Sequence, residues 1–134
     1  MSVPDKRKHK RVEAKIEVEI EVVFPEETFR PKKKGGHTLN ISEQGMKIMM
    51  FDVPESLYKN MLSPIRHAKI SFTLPTTKKH KVLHGKMVWF DYNFQKEECT
   101  FGVCFETITP EDQQEMHELI ETLESQDDSE VNGD

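Results

Sequence analysis

The sequence consists largely of short runs in which apolar and polar residues alternate. In the first of them, residues 16–22, isoleucine or valine occupies every second position and glutamate the positions between. Because successive side chains of a strand point to opposite faces, this pattern predicts a half-buried β-strand. Similar runs recur along the chain, separated by turns rich in glycine, proline and lysine. About six short strands linked in this way predict an all-β fold, a small antiparallel β-barrel or sandwich.

The later strands are predicted from the same alternation. They lie at residues 39–41, 46–50, 70–74, 82–92 and 101–105. In the penultimate run the pattern places Leu83, Met87 and Trp89 on one face. Residues 25–38 contain two prolines and adjacent glycines, which predict a long exposed loop. Residues 54–60 favour a short helical turn.

One longer helix is predicted near the C-terminus. Thr109 suits the N-cap and Pro110 the first helical position. The apolar stripe that follows has the i, i+3, i+4, i+7 spacing of an amphipathic helix, and we expect it to pack on the sheet. Its members are Met116, Leu119, Ile120 and Leu123. Residues 125–134 are acidic and nearly devoid of apolar side chains, which predicts a disordered tail. The predicted organisation is a flexible basic segment (1–14), a barrel with its helix (15–124) and the acidic tail.

The composition limits the class of protein. The net charge of the chain is -5. Residues 111–134 contribute ten acidic and no basic side chains, so the first 110 residues carry a net charge of +5 and are basic. No apolar run approaches the roughly 20 residues of a membrane span, and none follows the basic N-terminal residues as in a secretory signal. Two cysteines are too few for a disulfide framework or a zinc site of paired thiols. We therefore expect a cytoplasmic protein without a membrane span.

Two short motifs carry the chemistry. The first is Arg7-x-x-x-Arg11 in the basic N-terminal segment. A planar guanidinium can bind phosphate bidentately, read the O6 and N7 edge of guanine or stack on a base. The second is Asn40-x-Ser42-x-x-Gly45. The amide oxygen of Asn40 can accept a hydrogen bond from a guanine edge, and the hydroxyl of Ser42 can donate one to a phosphate. Gly45 permits a positive φ or a close approach of a ligand to the backbone.

In this order and spacing, the two motifs resemble those of the PilZ domain, the receptor family for cyclic di-GMP. The later strands agree, because the segments GKMVW (85–89) and FGVCF (101–105) are similar to late barrel strands of that family. The similarity covers approximately residues 6–124. It implies a six-stranded antiparallel β-barrel with a C-terminal α-helix.

The resemblance also implies the residues that bind the ligand. They are Arg7, Arg11, Asn40, Ser42 and Gly45, with Lys8, His9 and Lys10 as secondary contacts. The arginines would bind phosphates and guanines, the asparagine a guanine edge and the serine a phosphate or guanine, while the glycine would shape the turn. Binding would order the basic segment against the barrel and relay the second messenger to an effector protein, for example in motility or exopolysaccharide production.

No catalytic or metal site is predicted. The sequence offers no arrangement of Ser, His and Asp for nucleophilic catalysis, and the six histidines are scattered without a carboxylate cluster. Two other functions stay open: a ligand-independent protein-interaction module, and a small basic barrel that binds single-stranded nucleic acid. The second is disfavoured, because aromatic and basic residues do not interleave on a strand face.

Overall fold

Seven β-strands and two α-helices form the described part of the chain, which comprises residues 11–23, 32–62 and 66–132 of a computed structural model. The elements are β1 (Val12–Glu13), β2 (Glu17–Val23), β3 (Lys32–Ile41), β4 (Gly45–Met50), α1 (Glu55–Leu62), β5 (His67–Thr73), β6 (His80–Asn93), β7 (Glu98–Phe105) and α2 (Pro110–Asn132). The predicted helical turn after residue 54 is confirmed as α1.

The strands form one antiparallel sheet that closes on itself. Their order is β1-β3-β2-β5-β6-β7-β4, and β4 pairs in addition with β3. Six strands, β2 to β7, therefore complete a barrel, while β1 pairs with the last two residues of β3, beyond the part that pairs with β2. Closure leaves no open edge in the ring. The prediction of a six-stranded antiparallel barrel followed by a C-terminal helix is confirmed.

The core contains the residues that the alternating pattern assigns to the inner faces. In β2, Val18, Ile20 and Val22 are at most 6% exposed. Both helices add to the same cluster. They contribute Leu57 and Met61 from α1, and Met116, Leu119 and Ile120 from α2. Each large apolar side chain buried in this way stabilises the fold by about 1.5–3 kcal/mol. The predicted packing of the α2 stripe on the sheet is therefore confirmed.

Strand β3 begins earlier than the sequence predicts. The prediction of a loop over residues 32–38 is wrong, because residues 32–37 pair with β2 and residues 36–38 with β4. A Cβ atom on Gly36 would lie 2.2 Å from the carbonyl oxygen of Met49. The glycine therefore serves close strand packing, although glycines in a sequence ordinarily indicate a turn. The neighbouring Lys33 points outward and lies 3.9 Å from Glu21 of β2, which explains why lysines are tolerated in a strand.

A bulge in β6 reverses the predicted orientation of Trp89. Met87 is paired with Val103, but Trp89 is paired with Gly102, so one extra residue lies on the β6 side. Met87 is buried, whereas Trp89 is 39% exposed. The prediction that both share an inner face is therefore wrong beyond the bulge, because an extra residue exchanges the two faces of a strand.

Helix α2 continues to Asn132. The sequence predicts an end near residue 124 and disorder over 125–134, so most of that segment is helical instead. Once the apolar stripe has fixed the first turns, each added residue contributes a backbone hydrogen bond at little further cost. Residues 133–134 lie outside the described part, as do residues 1–10 of the basic segment.

The start of α2 is held on the barrel by a cap and an ion-pair cluster. The Thr109 hydroxyl accepts a hydrogen bond from the backbone N–H of Asp112 at 3.1 Å, which confirms the predicted N-cap. Lys81 of β6 donates to Asp112 at 2.9 Å and also contacts the Glu115 carboxylate. The side chains of Lys81 and Glu115 are 14% and 12% exposed. The bonds to Glu115 and Asp112 raise the pKa of Lys81, so it stays charged.

We predict that Lys81→Met lowers the free energy of unfolding by about 1–3 kcal/mol, because it leaves a largely buried carboxylate without its donor. Urea denaturation measures the change. Lys79→Met is the matched control: Lys79 is 60% exposed and lies 3.7 Å from Glu115, and exposed pairs contribute about 0–1 kcal/mol. Equal losses in the two variants would contradict the prediction.

Candidate functional site

The second motif lies where β3 turns into β4. Asn40 is the penultimate residue of β3 and is partly exposed. It is paired with Glu13 of β1 on one side and with Lys47 of β4 on the other. An irregularity in the β3–β4 register falls between Thr38 and Asn40. The asparagine therefore lies on the barrel surface, as the sequence predicts.

The Ser42 side chain shapes the turn between the two strands. Its hydroxyl oxygen accepts hydrogen bonds from the backbone N–H groups of Gln44 (3.2 Å) and Gly45 (3.1 Å). Its own N–H donates to the Gly45 carbonyl at 2.9 Å. Ser42 is only 6% exposed, whereas the sequence predicts a side chain that projects outward beside Asn40. Its contact with a ligand stays a prediction, and its observed contacts are those of a turn residue.

Gly45 is required by the neighbouring strand. No glycine in the described part has a positive φ, so the predicted conformational reason does not apply. A Cβ atom at this position would lie 2.1 Å from the carbonyl oxygen of Val103 in β7. The adjacent Gln44 carbonyl accepts a hydrogen bond from the Phe105 N–H at 2.8 Å. The turn is thus held against β7 as well as by its own hydrogen bonds.

Strand register adds two residues to the surface around Asn40. Across the outer face, Asn40 is paired with Lys47, Lys47 with Gly102, and Gly102 with Trp89. The Trp89 ring covers Gly102 so closely that a Cβ there would lie 2.3 Å from the indole nitrogen. The Lys47 ammonium lies 5.6 Å from the centre of that ring, within the range of a cation–π contact. One row therefore presents an amide, a cation and an indole.

The first motif is only partly within the described residues. Arg11 is exposed and directly precedes β1, whose Val12 is paired with Ile41, between Asn40 and Ser42. This pairing brings Arg11 to the end of β3 that carries the second motif. The other predicted contacts in the basic segment lie outside the described part. They are Arg7, Lys8, His9 and Lys10.

Glu43, inside the second motif, connects the turn to helix α2. Its carboxylate lies 3.2 Å from Nδ1 of His117, and Nε2 of the same ring lies 2.6 Å from Glu121. The hydrogen bond to Glu43, followed by the negative charge of Glu121, raises the pKa of His117 above its ordinary value. With a carboxylate at each ring nitrogen, the doubly protonated imidazolium is favoured. The sequence analysis missed this contact, because it joins residues 74 positions apart.

Three further features of the described residues concern metal-binding groups, cysteines and membrane-spanning helices. No group of three or more His, Cys, Asp or Glu side chains among them could hold a metal ion. Both cysteines are free: Cys104 is exposed, and burial raises the pKa of the Cys99 thiol to about 12. None of the helices in the described ranges has the length and apolar character needed to cross a membrane.

We predict that His117 stabilises the fold in a pH-dependent manner. The pKa of His117 is raised in the folded state. Its contribution to the free energy of unfolding is therefore complete below the pKa of the unfolded state, about 6.5, and is lost as pH rises through the pKa of the folded state. The melting-temperature difference between wild type and His117→Gln should therefore be larger at about pH 5.5 than at about pH 9. His84→Gln, an exposed histidine on β6, is the control. A difference of the same size at both pH values would refute the prediction.

Comparisons with known proteins fit this geometry. The family model described as PilZ domain matches residues 5–122. A comparison with curated proteins found no match. Among solved structures, the PilZ domain of YcgR from Escherichia coli, solved with c-di-GMP (cyclic di-GMP), is similar with a TM-score of 0.68 and 10% identity. That alignment covers 96% of this chain and 98% of the other.

A second solved structure is the inhibitor of motility MotI/DgrA from Bacillus subtilis. It is similar with a TM-score of 0.61 and 17% identity over 88% of this chain and 51% of the other, so this chain spans about half the length of MotI. At these identities the two structural matches show a common fold. The family match covers nearly the whole described region and agrees with the two sequence motifs. The chain belongs to the PilZ domain family.

Proposed function

We propose that this PilZ domain binds cyclic di-GMP on the outer face of the barrel beside the β3–β4 turn. The observation that carries the proposal is the pairing of β1 with β3, which brings Arg11 to the turn formed by residues 40–45. Arg11, the described residue of the arginine motif, thereby lies next to the asparagine–serine–glycine motif. The fold shared with the YcgR PilZ domain, which was solved with c-di-GMP, is further support.

The charge of the N-terminal segment suits this ligand. Cyclic di-GMP carries two phosphates, and residues 6–11 include five lysines and arginines. Arg11, and Arg7 before it, would bind phosphate oxygens with their guanidinium forks or stack on guanine. Lys8, His9 and Lys10 would supply secondary contacts. Neutralisation of the like charges would then favour an ordered segment over the barrel.

The row of residues beside Asn40 supplies the other half of the site. Asn40 would bind a guanine edge through its amide. Lys47 extends the positive surface toward Trp89, whose exposed indole offers a stacking platform for a base. Ser42 and Gly45 keep the turn in shape, and in the proposal Ser42 reaches a phosphate or guanine once the ligand is bound.

Signalling in this proposal is a change of surface and involves no chemistry on the ligand. An ordered N-terminal segment would present a different surface to an effector protein from the segment without ligand. The similarity to MotI, an inhibitor of motility, suggests motility control as the output. The same change of surface could also regulate another output of cyclic di-GMP signalling, such as exopolysaccharide production.

Arg11→Ala should weaken cyclic di-GMP binding by about 10- to 100-fold, because charge-assisted hydrogen bonds contribute about 1.5–3 kcal/mol. Calorimetric titration of both proteins measures the effect. Lys59→Ala removes an equal charge from a side chain of α1 that is 70% exposed, and it should leave the affinity unchanged. If the wild type gives no binding at several temperatures, the proposal fails and a ligand-independent interaction module takes its place.

Trp89 is the single tryptophan of the chain, so its fluorescence reports on the proposed surface. Cyclic di-GMP should quench this fluorescence with the same dissociation constant as the calorimetric titration, because stacking on a base changes the environment of the indole. Asn40→Ala should weaken both signals together. Calorimetric binding without any change in fluorescence or any effect of Asn40→Ala would place the ligand elsewhere.

A further inference from the structure

A groove lies on the outer face of the barrel where β6 turns into β7. Its volume is about 590 Å³. It is lined by outward-facing residues of three strands, among them Met49 of β4, Asp91 of β6, and Glu98 and Thr100 of β7. Phe94, in the loop between β6 and β7, also lines it. The groove adjoins the row of Lys47, Gly102 and Trp89 but shares none of these residues.

The hairpin beside this groove is held by ring contacts and hydrogen bonds. Tyr92 stacks on Tyr58 of α1 with ring centres 4.3 Å apart and planes at 10°, and Phe94 meets Tyr92 edge-on at 4.7 Å. The Tyr92 hydroxyl donates to the Val53 carbonyl at 2.5 Å. The Val53 N–H in turn donates to the Glu97 carbonyl at 2.8 Å. A preformed wall of this kind lowers the ordering cost of binding.

The apolar part of the groove is available to a partner. Phe94 is 63% exposed although it touches two tyrosine rings, which makes it the most exposed large apolar side chain among the described residues. Met49, on the facing strand, is partly exposed. Phe94 and Met49 thus give one groove an apolar part rimmed by polar groups, and a contiguous surface of this kind is typical of interaction sites.

The charge of the groove selects the partner. Among the described residues that line it, Asp91 and Glu98 are charged, and both are acidic. This is a local exception, because residues 1–110 carry a net +5. Asp91 is paired with Thr100 and Glu98 with Asn93, so the two carboxylates lie on the same outer face about two residues apart along the strands. Two carboxylates so placed favour an arginine or lysine over an acidic side chain.

We propose that this groove binds a basic, apolar segment of a partner protein. An arginine or lysine of the segment pairs with Asp91 and Glu98, and an apolar side chain next to it packs on Phe94 and Met49. A role for this groove in the relay of cyclic di-GMP rests on the proposed function above. Peptide binding to the groove itself does not depend on the ligand.

The test uses the full chain without cyclic di-GMP. A random peptide library displayed on phage is selected on the immobilised protein, and the enriched peptides are synthesised for fluorescence-polarisation titrations. We expect enriched peptides in which arginine or lysine adjoins an aliphatic or aromatic residue. The variant Asp91→Asn/Glu98→Gln keeps side-chain size and should bind such a peptide about tenfold more weakly, which corresponds to about 1.4 kcal/mol. Phe94→Ala should cause a comparable loss.

Two controls make the outcome decisive. Glu111→Gln/Glu118→Gln removes two exposed carboxylates from α2 and should leave peptide affinity unchanged. Thermal unfolding of each variant is measured as well, and the 63% exposure of Phe94 predicts that Phe94→Ala still folds. Enrichment of acidic or purely apolar peptides, or equal affinity for wild type and the groove variants, would overturn the inference. A failure of cyclic di-GMP binding is measured separately by the Arg11 titrations and leaves these results intact.

Discussion

The pairing of β3 with β4 is the constraint on which the rest of the structure depends. β3 and β4 are the first and last strands of a row of six paired strands, and their pairing closes this row into a ring. The apolar faces of all six strands therefore enclose one core. The approach of the two strands is so close that Gly36 has no room for a Cβ atom beside Met49. The turn that links them is the Asn40–Gly45 motif. The segment that closes the barrel thus also carries three of the candidate ligand residues, Asn40, Ser42 and Gly45, and the core beneath it fixes their spacing.

Local patterns predicted most of the fold. Alternation identified the barrel strands because one face of each is buried, and the cap at Thr109 with its apolar stripe identified α2. The errors have non-local causes. Residues 32–38 are a strand because β2 pairs with residues 32–37 and β4 with residues 36–38, which outweighs the turn preference of two glycines. The bulge before Trp89 depends on β7, and no periodicity within β6 alone reveals it.

The candidate site was also predicted only in part from the sequence. Arg11, Asn40, Ser42 and Gly45 are recognisable because they belong to short motifs with fixed spacing. Lys47 and Trp89 join them only through register across β4, β7 and β6, which a linear pattern does not encode. Ser42 illustrates a further limit, since its residue type suits both a ligand contact and a turn, and only its geometry identifies the hydrogen bonds to Gln44 and Gly45.

The brevity of β1 has a consequence for the strength of the proposed interaction. Val12 and Glu13 tie Arg11 to the turn through two cross-strand pairs, while Ala14 and Ile16 form further hydrogen bonds to β3. The pairing therefore frays first at the Arg11 end, at a free energy below that of global unfolding. The competent arrangement of Arg11 is then one member of an equilibrium. The apparent dissociation constant of the ligand then equals its intrinsic dissociation constant divided by the fraction of molecules in which β1 is paired. Affinity is in this way tuned by backbone pairing that involves no atom of the ligand.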